Sequence, residues 1–531
     1  MTAPATHEED PSASRPESWD ERTLDASARQ GSILAVVQTV VGKAAAAGSQ
    51  FALAWFLLPE QLGIATFAIS INLMLTFLNP LIMSDVLLAR RDRLREDAAP
   101  AFWTLMGSGL LSTAFLLAMI PPVLAWKSDP RLAVLLGILS VRPLLLAFQI
   151  VPYTVLRESL RFGDITRVNV IVPIFSLAVA VIVAALGGGS LAVVLPSLLV
   201  VGLTSYLFAT RARPVPSLRP TLAGAGPLFR EYATLSTGQY AHSISLFVDY
   251  IALGLLATQD ETGLYFLAFN LSAQINGVFA YNVSVALQPV FAHLNRDPAA
   301  QRRSFLKNTA VIGAATAPLV ALQGIIAVPF MHLVLPERWW PAAPLLMVLA
   351  AGQIFYFGMG CSTALLKAQG RFHAYTGWQA GQSALLVPAV FLAAGWIGPI
   401  IERRQWVDNG AAFAVACVIA LQYALSCPFG AILATRARGA ELVGVLGLFG
   451  KPIAAAAIAA VPAVPLALLS DGHWLNALLC CIGATTVFVP AYLAAIRLLD
   501  RELFARLVAG IRGGWTRVIG RIPGRRAVGN P

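Results

Sequence analysis

The chain of 531 residues reads as an all-α polytopic membrane protein of about fourteen transmembrane helices, arranged as two parallel six-helix bundles plus two C-terminal helices. Three observations predict this. The composition is 57% apolar and only 12% charged, where a soluble chain carries about a quarter charged residues. The charges are clumped, and the apolar stretches between clumps run about 18–25 residues, the length that crosses a ~30 Å hydrocarbon layer as a helix. When the stretches are alternated across a membrane, thirty of the 38 Lys and Arg fall on the side of the N-terminal tail. Five fall on the other side (Lys127, Arg131, Arg338, Arg403 and Arg404), and three (Lys43, Arg142 and Lys451) lie within spans. That imbalance follows the positive-inside rule and predicts that both termini are cytoplasmic.

Residues 1–30 contain seven acids and three arginines. A secretory signal has a basic start and a short apolar core, so this segment reads as a disordered acidic cytoplasmic tail. The spans are expected near 31–57, 63–89, 100–125, 132–155, 168–187 and 191–210 in the first bundle, over residues 31–210. A cytoplasmic linker, 211–234, leads to the second bundle, 235–433, with spans near 235–257, 264–290, 308–334, 343–366, 375–399 and 411–433. Two extra spans fill 443–496, near 443–469 and 475–496. Prolines such as Pro80, Pro173, Pro196, Pro289 and Pro388 fall within spans, as bundled membrane helices permit. Residues 497–531 form a basic tail that places Phe504, Leu507, Val508 and Ile511 on one helical face, the pattern of an interfacial helix on an anionic leaflet.

Two internal matches argue for the repeated bundle. "LRESLRFGDIT" at 156–166 faces "LKAQGRFHAYT" at 366–376, aligning Leu156 with Leu366 and Arg161–Phe162 with Arg371–Phe372. "PEQLGIATFAISIN" at 59–72 faces "QDETGLYFLAFNLS" at 259–272, aligning Gly63 with Gly263. Six is even, so the halves share orientation, and transporters built this way place a site between them.

The chemistry of soluble enzymes is absent from the sequence. The five cysteines sit inside apolar runs without metal-ligand spacing, and the six histidines form no HExxH cluster. There is no Walker loop and no GxSxG, so neither a cofactor nor a metal is expected, and the charge pattern suits a membrane rather than nucleic acid. A membrane glycosyltransferase is disfavoured because the longest outside loop, "GPIIERRQWVDNG", holds about a dozen residues, too few to build a catalytic site.

The order and spacing of "LLPEQLGIATFA", "RRDRLREDAAPAFW", "VPYTVLRESLRFGDIT", "DYIALGLLATQDETGLYFLAFNLS", "LPERWWPAAPLLMVLA" and "LLKAQGRF" resembles the polysaccharide-transporter, Wzx-like oligosaccharide flippases of the multidrug/oligosaccharidyl-lipid/polysaccharide exporter superfamily, over about residues 30–500. The resemblance implies a MATE/MurJ-like fold in the bacterial inner membrane. It implies movement of polyprenyl-diphosphate-linked oligosaccharide from the cytoplasmic to the periplasmic leaflet for exopolysaccharide, capsule or O-antigen. It further implies a lipid-linked oligosaccharide as substrate, anionic membrane lipids and a polysaccharide polymerase as partners, and a proton or sodium ion as coupling ion. A cation-coupled multidrug antiporter of the same superfamily is the alternative. The family has no invariant catalytic signature, so the site residues come from physics.

A charge near the bilayer centre costs at least ~2.5–3.5 kcal/mol, so buried charges are candidates for function. Lys43 in span 1 and Arg142 in span 4 are expected to meet an anionic diphosphate, the first as a point charge and the second through its bidentate fork. Asp249 in span 7 is expected to take up the coupling ion, or to hold Lys43 or Arg142 when substrate is absent. Asn270, Gln274, Tyr281 and Gln288 share one face of span 8 and are expected to bind sugar, with helix–helix hydrogen bonding as the alternative. The cluster Arg90, Arg91, Arg93 and Arg95 orients the chain and meets lipid headgroups; recruitment of the substrate headgroup is its candidate second role. Asp85 is expected to pair with Arg90, Lys451 to snorkel, and "RWWP" at 338–341 to sit in an aromatic belt.

Overall fold

The structure, a computed structural model, describes residues 21–75, 80–159, 161–212, 219, 221, 225–405 and 407–509. Every α-helix, 3-10 turn and π-turn among them is helical, with no strand among the described residues. The first half holds α1 (Glu21–Phe56), α2 (Pro59–Leu75), α3 (Pro80–Ala89), α4 (Leu94–Lys127), α5 (Pro130–Leu139), α6 (Arg142–Glu158), α7 (Phe162–Ala185) and α8 (Leu191–Arg211). The second holds α9 (Ala225–Leu256), α10 (Gln259–His293), α11 (Pro298–Ile325), α12 (Ala327–Val334), α13 (Ala343–Gln353), α14 (Phe357–Ala368), α15 (Phe372–Leu392), α16 (Gly398–Arg403) and α17 (Gly410–Thr435). Then come α18 (Ala440–Leu468) and α19 (Trp474–Leu499). Ten segments among the described residues are long and apolar enough to cross a membrane. The other four expected spans fall on α1, on α2 with α3, on α9 and on α10.

Several sequence spans are broken helices. Span 4 divides at Ser140–Val141, where Pro143 supplies no N–H to continue the ladder. The carbonyls freed there are satisfied from neighbouring helices. Asn72 Nδ2 donates to Leu139 O at 3.0 Å, and Thr113 Oγ1 to Ser140 O at 2.6 Å. Unpaired backbone groups at this depth would cost several kcal/mol each, by the general rule for hydrocarbon.

The bundles are parallel, and the repeats show why. Arg161 N–H bonds Leu156 O at 2.9 Å and Arg371 N–H bonds Leu366 O at 3.0 Å, the same six-to-one helix stop. Each arginine then reaches the last helix of its own bundle. Arg161 donates to Arg211 O on α8 at 2.8 Å, and Arg371 to Leu433 O on α17 at 2.9 Å. The repeated "RF" is thus a structural cap. Gly63 of α2 and Gly263 of α10 meet where the bundles touch. A Cβ on Gly63 would stand 1.8 Å from Gln259 O, and one on Gly263 1.9 Å from Pro59 O. Only glycine allows two backbones so close.

The last pair, α18 and α19, packs together and onto α11 through Ala455, Ala459, Ala463 and Ala484, small residues that let the helices approach. Tyr492 adds a hydrogen bond to Ala314 O at 3.0 Å. The tail departs from expectation. Leu503 and Leu507 are buried in this cluster and Phe504 packs against it, so the apolar face is covered by protein rather than lipid. Ile511 lies outside the described residues. Lys451 does not simply snorkel: its Nζ donates to Asp500 at 2.7 Å.

Candidate functional site

The seam between α1 and α10 carries the first candidates. Lys43 lies thirteen residues before Phe56, the end of α1, or ~20 Å along the helix. Its ammonium rests against Gly277 of α10, where a Cβ would stand 2.6 Å from Nζ. The missing side chain makes the room for the cation. Two turns further along α1, Gln50 Oε1 accepts from Gln274 Nε2 at 3.3 Å. Among the described residues Lys43 has no ion-pair partner.

The polar residues of α10 divide between two tasks. Gln274 faces α1, whereas Asn276 is buried and donates to Gln353 O and Oε1 on α13, at 2.8 and 2.9 Å, as glue within the second bundle. Asn270 turns back to its own helix, donating to Phe266 O at 2.9 Å. Gln288 is exposed, and the Tyr281 side chain lies outside the described residues. The structure therefore brings Gln274 to Lys43's helix.

Arg142 opens α6 at the break in span 4 and is half-buried. Its one hydrogen bond goes to the neutral Asn72 Oδ1 at 3.2 Å, and no carboxylate approaches it among the described residues. A guanidinium has five donors, so most of this fork is unspent.

Asp249 of α9 is buried, 2% exposed, and pairs with no cation among the described residues. Tyr265 Oη donates to Oδ2 at 2.8 Å and the Tyr250 N–H to Oδ1 at 2.9 Å. Tyr250, Tyr265, Phe266 and Phe269 stack around it edge to face and in tilted contact. The pairing of Asp249 with Lys43 or Arg142 is absent from this structure. Lys43 stands against α10, Arg142 bonds α2, and the acid is enclosed by rings.

Arg90 is also committed. It bonds Glu231 of α9 at 2.5 and 3.1 Å and Asp97 at 3.5 Å, tying the two bundles together at their basic ends. The exposed Glu231 carboxyl is held below its ordinary value by these Arg90 donors. Asp85 pairs not with Arg90 but with Arg157, at 2.8 Å, because span 4 packs its basic end against α3. Arg93 and Arg95 are exposed; nothing is described of the Arg91 side chain.

The opposite ends of the bundles hold residues that sequence reasoning missed. Arg338 of the second bundle donates to Leu57 O at 3.1 Å, Ala54 O at 3.1 Å and Trp55 O at 2.5 Å, the last carbonyls of α1. Trp339, fully buried, donates to Ala54 O at 2.6 Å. Trp339 is therefore a clasp and not a belt residue. The first bundle answers in kind. Trp126 donates to Leu255 O at 2.8 Å and Lys127 to Ala257 O at 2.7 Å, the last carbonyls of α9. Positions 55 and 57 correspond to 255 and 257 in the repeat, so each bundle caps the other's first helix at equivalent carbonyls. The sequence offered one signal: a tryptophan beside a cation in each of the two segments, Trp126–Lys127 and Arg338–Trp339.

Comparison with known proteins places this geometry. A family model described as "Polysaccharide biosynthesis protein" matches residues 52–344, more than half the chain. The teichuronic acid biosynthesis protein TuaB of Bacillus subtilis (strain 168) is 23% identical over 315 residues, 58% of this chain and 64% of TuaB. The lipopolysaccharide biosynthesis protein WzxC of Escherichia coli (strain K12) is 23% identical over 357 residues, 64% of this chain and 70% of WzxC. The match thus spans just under two thirds of the first of these relatives. Among solved structures, the lipid II flippase MurJ in an inward closed conformation superposes with a TM-score of 0.67 at 13% identity, over 89% of this chain and 99% of that one. An inward-facing multidrug resistance MATE transporter superposes with 0.57 at 13% identity, over 75% and 95%. The chain belongs to the polysaccharide biosynthesis protein family.

Proposed function

We propose that this protein is a flippase for polyprenyl-diphosphate-linked oligosaccharide, working by alternating access in the bacterial inner membrane with fourteen crossings and both termini in the cytoplasm. The basic ends of the helices face the cytoplasm by the positive-inside rule. The observation that carries the reading is the pair of cations within spans that have no carboxylate partner among the described residues, Lys43 and Arg142. Charges inside a membrane face the bundle interior or a water-filled cavity and mark substrate pathways, and a cation there with no acid beside it suits an anionic substrate. Neutral amides on the same α1–α10 seam, two turns from Lys43, the Gln50–Gln274 pair, offer donors and acceptors suited to sugar hydroxyls. With both outer clasps closed, this state holds the bundles together on the side away from the basic ends.

Asp249 favours coupling to a proton or sodium ion, since a buried carboxylate bonded only to neutral donors gains from a small cation. The same feature would serve a cation-coupled drug antiporter, the second reading. Deletion of the gene separates them. A flippase leaves surface polysaccharide missing and its lipid-linked intermediates on the cytoplasmic side. An antiporter leaves polysaccharide intact and makes the cell drug-sensitive, which would overturn the proposal.

A further inference from the structure

The two bundles treat charge differently at their basic ends. In the first, four arginines are paired with acids: Arg90 with Glu231 and Asp97, Arg157 with Asp85, and Arg161 and Arg167 with Asp164. In the second, one ion pair forms among the described residues, Arg302 with Glu441. Lys367, Arg371, Arg436 and Arg438 have no carboxylate partner there. Three of the second bundle's arginines, Arg302, Arg371 and Arg436, line a single cavity of about 490 Å³ between α11, α14 and α17.

The cavity is built. Gln369 Nε2 donates to Gln301 Oε1 at 2.9 Å, and Arg371 donates to Gln369 Oε1 at 3.2 Å while its other bonds hold the end of α17. These bonds fix the Arg371 guanidinium in place. Burial first, and then the neighbouring Arg436 charge, pull Arg371 below its ordinary value. Both arginines line the cavity, and neither has a carboxylate partner among the described residues. Arg302 Nε is buried and has no acceptor among the described residues. Glu441 occupies Arg302's other side and is itself exposed at the cavity's edge.

We propose that this cavity is an anion site that takes a diphosphate-bearing headgroup at the basic face of the second bundle. Arg302 and Arg436 are the recognising charges, Arg371 is the fixed wall, and Glu441 is the placeholder that the anion displaces from Arg302. Guanidinium groups bind phosphate oxygens through paired, charge-assisted hydrogen bonds. The cavity rather than the Arg90–Arg95 cluster is then where the headgroup first docks, since Arg90 is already held by two acids. Assigning the diphosphate to a lipid-linked sugar rests on the flippase reading; anion binding at the cavity does not.

Full-length protein in detergent is titrated calorimetrically with inorganic pyrophosphate, and again with dioctanoyl phosphatidylglycerol as competitor. Arg302→Gln and Arg436→Gln are each expected to weaken pyrophosphate about tenfold, the loss of one charge-assisted contact. Glu441→Gln is expected to tighten it, and Arg90→Gln to leave it unchanged. Arg302→Lys, which keeps the charge and can still pair with Glu441, is expected to recover most of the affinity, so a folding defect in Arg302→Gln is recognised. Unchanged affinity in both glutamine variants, or an equal loss in Arg90→Gln, overturns the site. Displacement of pyrophosphate by equimolar phosphatidylglycerol overturns the diphosphate assignment in favour of bulk lipid phosphate. Because no transport is measured, a protein that binds pyrophosphate here but moves no lipid-linked sugar refutes the flippase reading and not the site.

Discussion

Single residues carry the chemistry. Lys43 and Arg142 were legible in the sequence because a charge inside an apolar run has few readings, but their surroundings were not. The room for Lys43 is a missing side chain, Gly277, on a helix 234 residues away. Lys43→Ala and Arg142→Ala are each expected to abolish export while the protein level, read by immunoblot, is unchanged. Removing an unpaired charge from the membrane relieves a cost, so stability is expected to hold or rise. Normal export in both variants would remove the cations from the mechanism. Asp249→Asn keeps the shape and the bond from Tyr265 but loses the ionisable oxygen. It is expected to keep the protein folded and to remove the dependence of transport on an imposed proton or sodium gradient.

At the scale of elements, the sequence announced the helices and the repeat but not the contacts that close the bundles. A cap from Arg338 to Trp55 joins positions 283 residues apart, and no local pattern encodes it. Trp339→Phe removes one of the two donors on Ala54 O, leaving Arg338, and is expected to cost the closed state about 0.5–1.5 kcal/mol, the net worth of one hydrogen bond. The double variant Lys127→Ala/Arg338→Ala removes a cap from both sides of the pseudo-symmetric clasp. It is expected to speed labelling of Thr66→Cys by a membrane-impermeant maleimide, since Thr66 is buried on α2 near the glycine contact. Gly63→Leu drives a side chain into Gln259 O and is expected to give the same faster labelling with transport lost. Unchanged labelling in both would show that these contacts do not hold the outer side closed. The ion triad of Asp129, Arg131 and Glu60 at this end adds a pH signature. Asp129 is held below its ordinary value, first by Arg131's side-chain donors. A depressed carboxylate contributes stability above its unfolded pKa and loses it as pH falls through the folded one. The gap in unfolding midpoint between wild type and Arg131→Gln is therefore expected to be constant above about pH 4 and to close below it.

For the whole molecule, composition was enough to give a polytopic helical protein, and the charge asymmetry gave its expected orientation. Which arginines are free was not legible, because pairing depends on packing between distant helices. The Arg90–Arg95 cluster looks like the dominant basic patch in the sequence, yet Arg90 is spent on Glu231, 141 residues later. On the second bundle, Lys367, Arg371, Arg436 and Arg438 have no carboxylate partner among the described residues, and they lie at two connections far apart in the sequence, α14–α15 and α17–α18. Asymmetric charge on pseudo-symmetric halves suits a cargo that is itself asymmetric, anionic at one end and neutral at the other. The most direct test of the central claim is reconstitution of the purified protein into proteoliposomes containing a fluorescent polyprenyl-diphosphate oligosaccharide. The fraction of sugar reached by an added glycosidase is followed with time. The expected result is rapid exposure of the sequestered half with wild-type protein and the slow rate of empty vesicles with Lys43→Ala/Arg142→Ala. Exposure no faster with wild-type protein than in empty vesicles would contradict it.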